Sequence, residues 1–372
     1  MQGTSGSPEG VEQLARTVIG KTLGLKRGET VLIEAWSNSL PYAEAFQREA
    51  RRVGAKPIVL FESEPVYWET VEAGRGKDLG VPPRSEWAAL EAADAYVYFW
   101  GPSDRTRVRA LPPKAQQQLT AYNGRWYDVA AKKGIRGARI ELALAEPGNA
   151  SAYGVDLDAW RAELIAASTA DPKQMQRAGA RLRPSLEGGK RLRITHPNGT
   201  DLTLGLKKGR KLIVDDGQVD AADVRAKRNM VNVPGGSAVV AVDESVADGV
   251  IIGNQVSRFD QMRKRLGEPR WEFKDGRLVS LSASEGGQEF SESYRKAPKG
   301  KERPGMFEIG LNPDIRIAPT FEDQEAGAVT LYLGGNKAYG GSSSVPYFAY
   351  LVLRGATVQV DGKTLVQDGK LA

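Results

Sequence analysis

The strongest constraint on the fold is a change of rhythm along the chain. Over residues 11–145, strand patterns alternate with helix patterns; from Lys190 onward the sequence is short strands and tight turns. Thr30-Val31-Leu32-Ile33-Glu34 reads as a buried strand after the turn Arg27-Gly28-Glu29. Ser39 is placed as an N-cap with Pro41 in the first turn, and Ala43, Phe46, Ala50 and Val53 fall on one helical face that stops at Gly54. Further strand patterns lie at 57–61, 95–100 and 139–144. Strands separated by helices imply βαβ units and a largely parallel sheet. No glycine-rich phosphate loop follows any of these strands. The segment after the first is Ala35-Trp36-Ser37-Asn38-Ser39, which argues against a nucleotide-binding version of this layout.

Residues 155–185 read as helical. Beyond them, Arg191-Leu192-Arg193-Ile194-Thr195 and Thr200-Asp201-Leu202-Thr203-Leu204 flank Pro197-Asn198-Gly199, a hairpin signal because Asn-Gly accommodates the positive φ of a tight turn. Strands are expected at 238–242, 249–253, 277–283, 327–333 and 349–353, with a closing hairpin over 357–365. Trp271, in the segment 267–273, suits strand packing, a pocket rim or a dimer contact. The fold class is therefore an α/β N-terminal domain over 1–185 followed by a β-rich, α+β C-terminal domain over 186–372, with the functional cleft expected between them.

Among 372 residues there is one histidine, His196, and no cysteine. Histidine is the usual base near neutral pH and the commonest transition-metal ligand, and cysteine is the softest ligand and best nucleophile. A site here works with carboxylates, hydroxyls and tyrosines, or binds without chemistry. His196 itself reads as a turn residue. The net charge of +6 is spread along the chain, and its densest stretches, 189–193, 207–211 and 263–265, read as solvated turns. No nucleic-acid partner is expected, and no apolar run of about 18 residues calls for a membrane. The polar start Met1-Gln2-Gly3-Thr4-Ser5-Gly6-Ser7 lacks the pattern of a secretion signal, so a cytoplasmic location is expected.

Six segments carry a resemblance to a known family: Pro197-Asn198-Gly199-Thr200-Asp201-Leu202, Asp215-Asp216-Gly217, Asn232-Val233-Pro234-Gly235-Gly236, Gly310-Leu311-Asn312-Pro313, Leu333-Gly334-Gly335-Asn336 and Val360-Asp361-Gly362. In order and spacing, residues 190–372 resemble the aminopeptidase T family of metallopeptidases. The resemblance implies a two-metal site of two glutamates, two histidines and an aspartate, assisted by a tyrosine, and a homodimer paired through C-terminal regions. Carried onto this chain one position at a time, the glutamate after Pro-Gly-Gly falls on Ser237 and the second glutamate on Met306. The strand histidine falls on Thr330, and the final His-x-Asp pair on Phe348 and Tyr350. These residues bind divalent metals poorly. A shift of register would recover Glu308, but no shift supplies histidines. The assisting tyrosine falls nearest Tyr339, with Tyr347 and Tyr332 as rivals.

The resemblance thus implies a divergent member without metal ligands and without another cofactor. Three functions follow: a metal-independent hydrolase of a small amide, peptide or modified amino acid; a non-catalytic ligand-binding or scaffold protein; or a metallo-aminopeptidase with displaced ligands. In the first, Tyr339 and Ser237 are the catalytic candidates. Arg225, Arg228, Met306, Thr330, Phe348 and Tyr350 are expected to line the substrate pocket, the two arginines by attracting a carboxylate. A nucleophilic Ser237 needs a neighbouring base, which here must be lysine or carboxylate. Asp215, Asp216 and Asp220 form an acidic cluster that also suits a turn. Asp243, Glu244, Glu322 and Asp323 read as solvated loop acids.

Overall fold

The computed structural model describes residues 10–75, 79, 81, 83–112, 115, 125–253, 257–258, 266–317 and 319–372. The N-terminal heptapeptide and the basic run 263–265 lie outside the described residues. The chain divides into two units: Met1–Thr169 with Gly217–Gly235, and Ala170–Asp216 with Gly236–Ala372.

The first unit is built on five parallel strands: β1 (Thr30–Trp36), β2 (Lys56–Glu62), β3 (Ala95–Phe99), β4 (Arg136–Ile140) and β8 (Met230–Val233). Their order is β2-β1-β3-β4-β8. Val31, Leu32 and Ile33 are all fully buried, as a parallel strand covered on both faces requires. The helix Leu40–Arg52 turns Tyr42, Ala43, Phe46 and Ala50 inward, and Phe46 meets Phe99 of β3 edge-on at 5.0 Å. Ser39 precedes this helix as expected but does not cap it. Its hydroxyl accepts the Trp36 N–H at 2.9 Å and locks the preceding turn.

Two sequence expectations change here. Residues 141–144 are not strand: β4 ends at Ile140 and Glu141–Leu144 form a 3-10 turn. All four are buried, and an apolar run covered on every side carries no period to tell strand from turn. The single boundary expected near residue 185 becomes a break at Thr169, with Gly217–Gly235 returned to the first unit. The return follows from β8, which pairs with β4 over Gly137–Ile140.

The second unit holds a 13-stranded sheet of β5 (Arg191–His196), β6 (Thr200–Leu206), β7 (Ile213–Asp215), β9 (Ser237–Ile252), β10 (Ser257–Arg258), β11 (Arg270–Lys274), β12 (Arg277–Ser282), β13 (Pro304–Gly310), β14 (Val329–Gly334), β15 (Phe348–Leu353), β16 (Thr357–Val360), β17 (Lys363–Gln367) and β18 (Lys370–Leu371). The β5–β6 hairpin turns at Asn198-Gly199, with Gly199 at φ 96° and Asn198 Oδ1 accepting from Thr200 N–H at 3.0 Å. His196 Nδ1 accepts from Asn198 N–H at 3.1 Å, the turn role its position suggests. Strands expected at 238–242 and 249–253 are one strand, β9. Its first half pairs with β13 and β7, and its second with β6 and β11.

The helix Pro172–Gly188 packs Met175, Ala178, Leu182 and Leu186 on the sheet. The basic stretch 207–211 is not wholly solvated: Arg210 is 3% exposed and donates to the carbonyls of Leu186, Gly189 and Lys207, satisfying the end of that helix. Trp271 is fully buried and stacks on Phe290 at 6.1 Å, which makes it core. Among the described residues no helix is long and apolar enough to cross a membrane.

Candidate functional site

Strand alternation builds the site. On β13, Phe307 and Ile309 enter the main core, so Met306 and Glu308 take the opposite face. Cross-strand register fixes their neighbours. Glu308 stands opposite Thr330 and Val239, and Met306 opposite Tyr332, which faces Tyr350 in turn. At the end of this face Ser237 stands opposite Gly310 and Asp215, and at the other end Phe348 stands opposite Gly334. The positions Ser237, Met306, Thr330, Phe348 and Tyr350, 113 residues apart at the extremes, therefore share one sheet face.

This face runs from acid to aromatic. Tyr332 Oη donates to Glu308 Oε2 at 2.5 Å, and the Ser237 side chain lies close enough to favour the charged form of the same carboxyl. Ser237, Glu308 and Tyr332 are 6%, 5% and 5% exposed. Burial pushes the Glu308 carboxyl well above the usual carboxylate range; Asp323 and Asp215 raise it further, against the two hydroxyls that favour its charged form. Burial, with Glu308 beside it, likewise pushes the Tyr332 phenol up. Beyond Glu308 the rings of Tyr332, Phe348 and Tyr350 lie 5.1–5.9 Å apart, and Met306, Val239 and Val352 complete an apolar patch. The Thr330 Oγ1 is buried with no hydrogen-bond partner among the described residues.

Tyr339 packs against this patch from the 3-10 turn Lys337–Tyr339. The loop around it is anchored by Glu244, which accepts from Asn336 Nδ2 and from the Ser342 N–H and hydroxyl. Burial alone would raise Glu244, but these hydrogen bonds hold it down at about 2. Glu244 is therefore a structural anchor and not a solvated acid. Glu322, at 3% exposure, and Asp323, which acts on Glu308, are likewise drawn inward. Asp216 accepts from Gln176 at 2.6 Å, and Asp220 caps the helix Ala221–Arg225 in a capping box. The acidic cluster thus splits, and only Asp215 reaches the site's electrostatics.

Arg225 and Arg228 belong to the first unit. Arg225 is exposed at the end of its helix, and Arg228 pairs with Asp223 at 2.8 Å. Sequence reasoning missed the Glu308–Tyr332 pair. The available signal was the two-residue period, which puts Glu308 on the face of Met306.

The donors present do not fit a two-metal centre. Hydroxyls, a thioether and aromatic rings stand at the positions onto which the resemblance carries the ligands, and among the described residues no group of three or more His, Cys, Asp or Glu is disposed to hold a metal ion. Yet the family model for thermophilic metalloproteases, M29, matches residues 8–305. The chain belongs to this family. The matched span ends just before Met306, and Glu308, Thr330, Tyr332, Phe348 and Tyr350 lie beyond it. Among solved structures, wild-type AmpT from Thermus thermophilus is similar over 98% of this chain and 99% of its own, at 18% identity and a TM-score of 0.71. The 2,5-dihydroxypyridine dioxygenase from Pseudomonas putida KT2440 is similar over 97% and 96%, at 15% identity and a TM-score of 0.61. These likenesses show the fold: a parallel α/β sheet joined to a large, mostly antiparallel one. No curated protein matches the chain.

A second acid with a raised pKa, half-buried, lies in the first unit. Tyr96 Oη donates to Glu34 Oε2 between β3 and β1. Burial pushes the Glu34 carboxyl up to about 7, against that hydrogen bond, and Glu86 and Glu62 add to the rise.

Proposed function

We propose that this M29 member is a metal-independent hydrolase of a small amide, peptide or modified amino acid, working at Ser237, Glu308 and Tyr332. One observation carries the reading: the buried Glu308 carboxyl accepts from the Tyr332 hydroxyl and is influenced by Ser237, the residue onto which the resemblance carries the first glutamate ligand. A buried polar group costs stability unless it is satisfied or used, and strongly shifted acids cluster at functional sites.

The raised Glu308 is a stronger base than an ordinary carboxylate, which suits it to take the Ser237 proton. The Ser237 Oγ attacks the substrate carbonyl carbon, its proton passes to Glu308, and the carbonyl π pair moves onto oxygen. Collapse expels the amine, which takes the proton back from Glu308 and leaves a Ser237 ester. Water then adds with Glu308 again accepting a proton, and the acid and Ser237 are released. Tyr332 holds the Glu308 carboxyl in place throughout. Tyr339 is the hydrogen-bond donor from the anchored loop, and Met306, Thr330, Phe348 and Tyr350 receive the acyl side chain. Arg225 and Arg228 have no part in this scheme. A cytoplasmic location and pairing of copies through the second unit complete the reading.

The aromatic patch favours one alternative, a binding protein that holds an apolar or aromatic ligand on Tyr332, Phe348 and Tyr350 without turnover. One experiment separates them. Aminoacyl 4-nitroanilides are offered to the chelator-treated protein, its Ser237→Ala and Glu308→Gln variants. The expected result is turnover by the wild type and a loss of at least about a hundredfold in each variant. Binding without turnover supports the alternative. Turnover that vanishes with chelator and returns with zinc overturns both.

A further inference from the structure

Among the described residues, the outer strand of the parallel sheet is paired on one side only. β2 pairs only with β1 among the described residues. Lys56 N–H donates to the Glu29 carbonyl at 2.7 Å, so even-numbered residues of β2 turn their backbone groups toward β1. Odd-numbered residues turn theirs outward: the Pro57 carbonyl, and the N–H and carbonyl of Val59 and of Phe61. Pro57 stands where its missing N–H removes no bond to β1.

Two apolar side chains of this strand face solvent, Ile58 at 46% and Phe61 at 55% exposure, while Pro57, Val59 and Leu60 are half-buried. Exposed edge strands are commonly protected by a charge in mid-strand or by a bulge. In Lys56-Pro57-Ile58-Val59-Leu60-Phe61-Glu62 the charges stand only at the two ends and are opposite in sign.

We propose that β2 is an interaction surface for a second copy of this chain, paired antiparallel with β2 of that copy about a two-fold axis at Val59. In this register Val59 meets Val59 and exchanges two backbone hydrogen bonds. Each Phe61 N–H donates to the Pro57 carbonyl of the second copy, so the missing Pro57 N–H is the one gap in each half. Ile58 meets Leu60 on one face and Pro57 meets Phe61 on the other, covering both apolar surfaces. Lys56 meets Glu62 at both ends. A one-residue slip would lose the charge pairing and turn inward-directed backbone groups to the partner. Burial, with Glu86 nearby, pushes the Glu62 carboxyl up, and Lys56 of the second copy supplies the cation that opposes this rise. The surface is self-complementary, as a two-fold dimer requires. It uses no residue of the Ser237 site and is distinct from pairing through the C-terminal unit.

Sedimentation equilibrium of the full chain tests this with Lys56→Glu, Glu62→Lys, the double reversal and Phe61→Lys, each checked for folding by circular dichroism. Each single reversal sets like charges opposite each other twice, and is expected to weaken association at least about tenfold and halve the assembly mass. Phe61→Lys is expected to do the same, and the double reversal to restore the wild-type mass. A monomeric wild type, masses indifferent to the reversals, or a double reversal that fails to restore assembly overturns the proposal.

Discussion

Replacing Glu34 by Gln should make the first unit more stable at pH 8 while leaving it nearly unchanged at pH 4.5. Glu34 holds its proton in the folded protein up to about pH 7, whereas an ordinary glutamate gives it up near 4.5. Between those values folding takes up a proton, so stability falls as pH rises through the window and the loss is complete above it. The window is about 2.5 pH units wide, and each unit is worth about 1.4 kcal/mol, which sets a ceiling of about 3.5 kcal/mol. Glutamine carries no charge at any pH and keeps an oxygen for the Tyr96 hydroxyl. At roughly 2–4 °C per kcal/mol for a unit of this size, the variant should melt up to about 14 °C higher at pH 8. Paired thermal melts of both proteins from pH 4.5 to 8, followed by tryptophan fluorescence, give the comparison. A difference that does not change with pH, or a wild type that gains stability on the alkaline side, would show that the carboxyl is not desolvated as its burial implies.

Other consequences are local. Tyr332→Phe removes a hydrogen bond that favours ionised Glu308, so the pH at which activity rises should move upward, with about 1.5–3 kcal/mol lost at neutral pH in denaturant titration. Gly236→Ala places a Cβ 2.6 Å from Asn312 Cβ at φ 138°, and should cost on the order of 2 kcal/mol and displace Ser237, read as lowered melting and lost turnover together. The Arg193–Asp201 pair is strongly exposed on both sides, so Asp201→Ala should change the denaturation midpoint by less than about 0.5 kcal/mol equivalent at moderate salt.

The fold was legible wherever one local rule sufficed. The alternating patterns of residues 30–99 predict the parallel sheet, and Asn198-Gly199 predicts its hairpin. What was hidden depended on partners distant in sequence. Met230–Val233 is too short to announce that it returns to the first unit, and only its ladder with β4 shows this. The buried run 141–144 has no exposed face from which to read a period. Ser237, Met306, Thr330, Phe348 and Tyr350, onto which the resemblance carries the family's ligands, are scattered in sequence, and strand register brings them onto one face. The Glu308–Tyr332 bond spans 24 residues and two strands, so its chemistry emerges only once that register is known. Arg225 and Arg228, which precede Pro234-Gly235-Gly236 in sequence, belong to the first unit, a membership the sequence alone does not show.

We propose that the Glu308 carboxylate activates the Ser237 hydroxyl. Intact-mass and peptide spectrometry after exposure to a fluorophosphonate, in excess chelator, measures this directly. The account predicts a single adduct on Ser237, formed faster as pH rises and Glu308 ionises, and suppressed in Glu308→Gln. No adduct at Ser237, or an adduct whose rate ignores both pH and the Glu308 substitution, would contradict it.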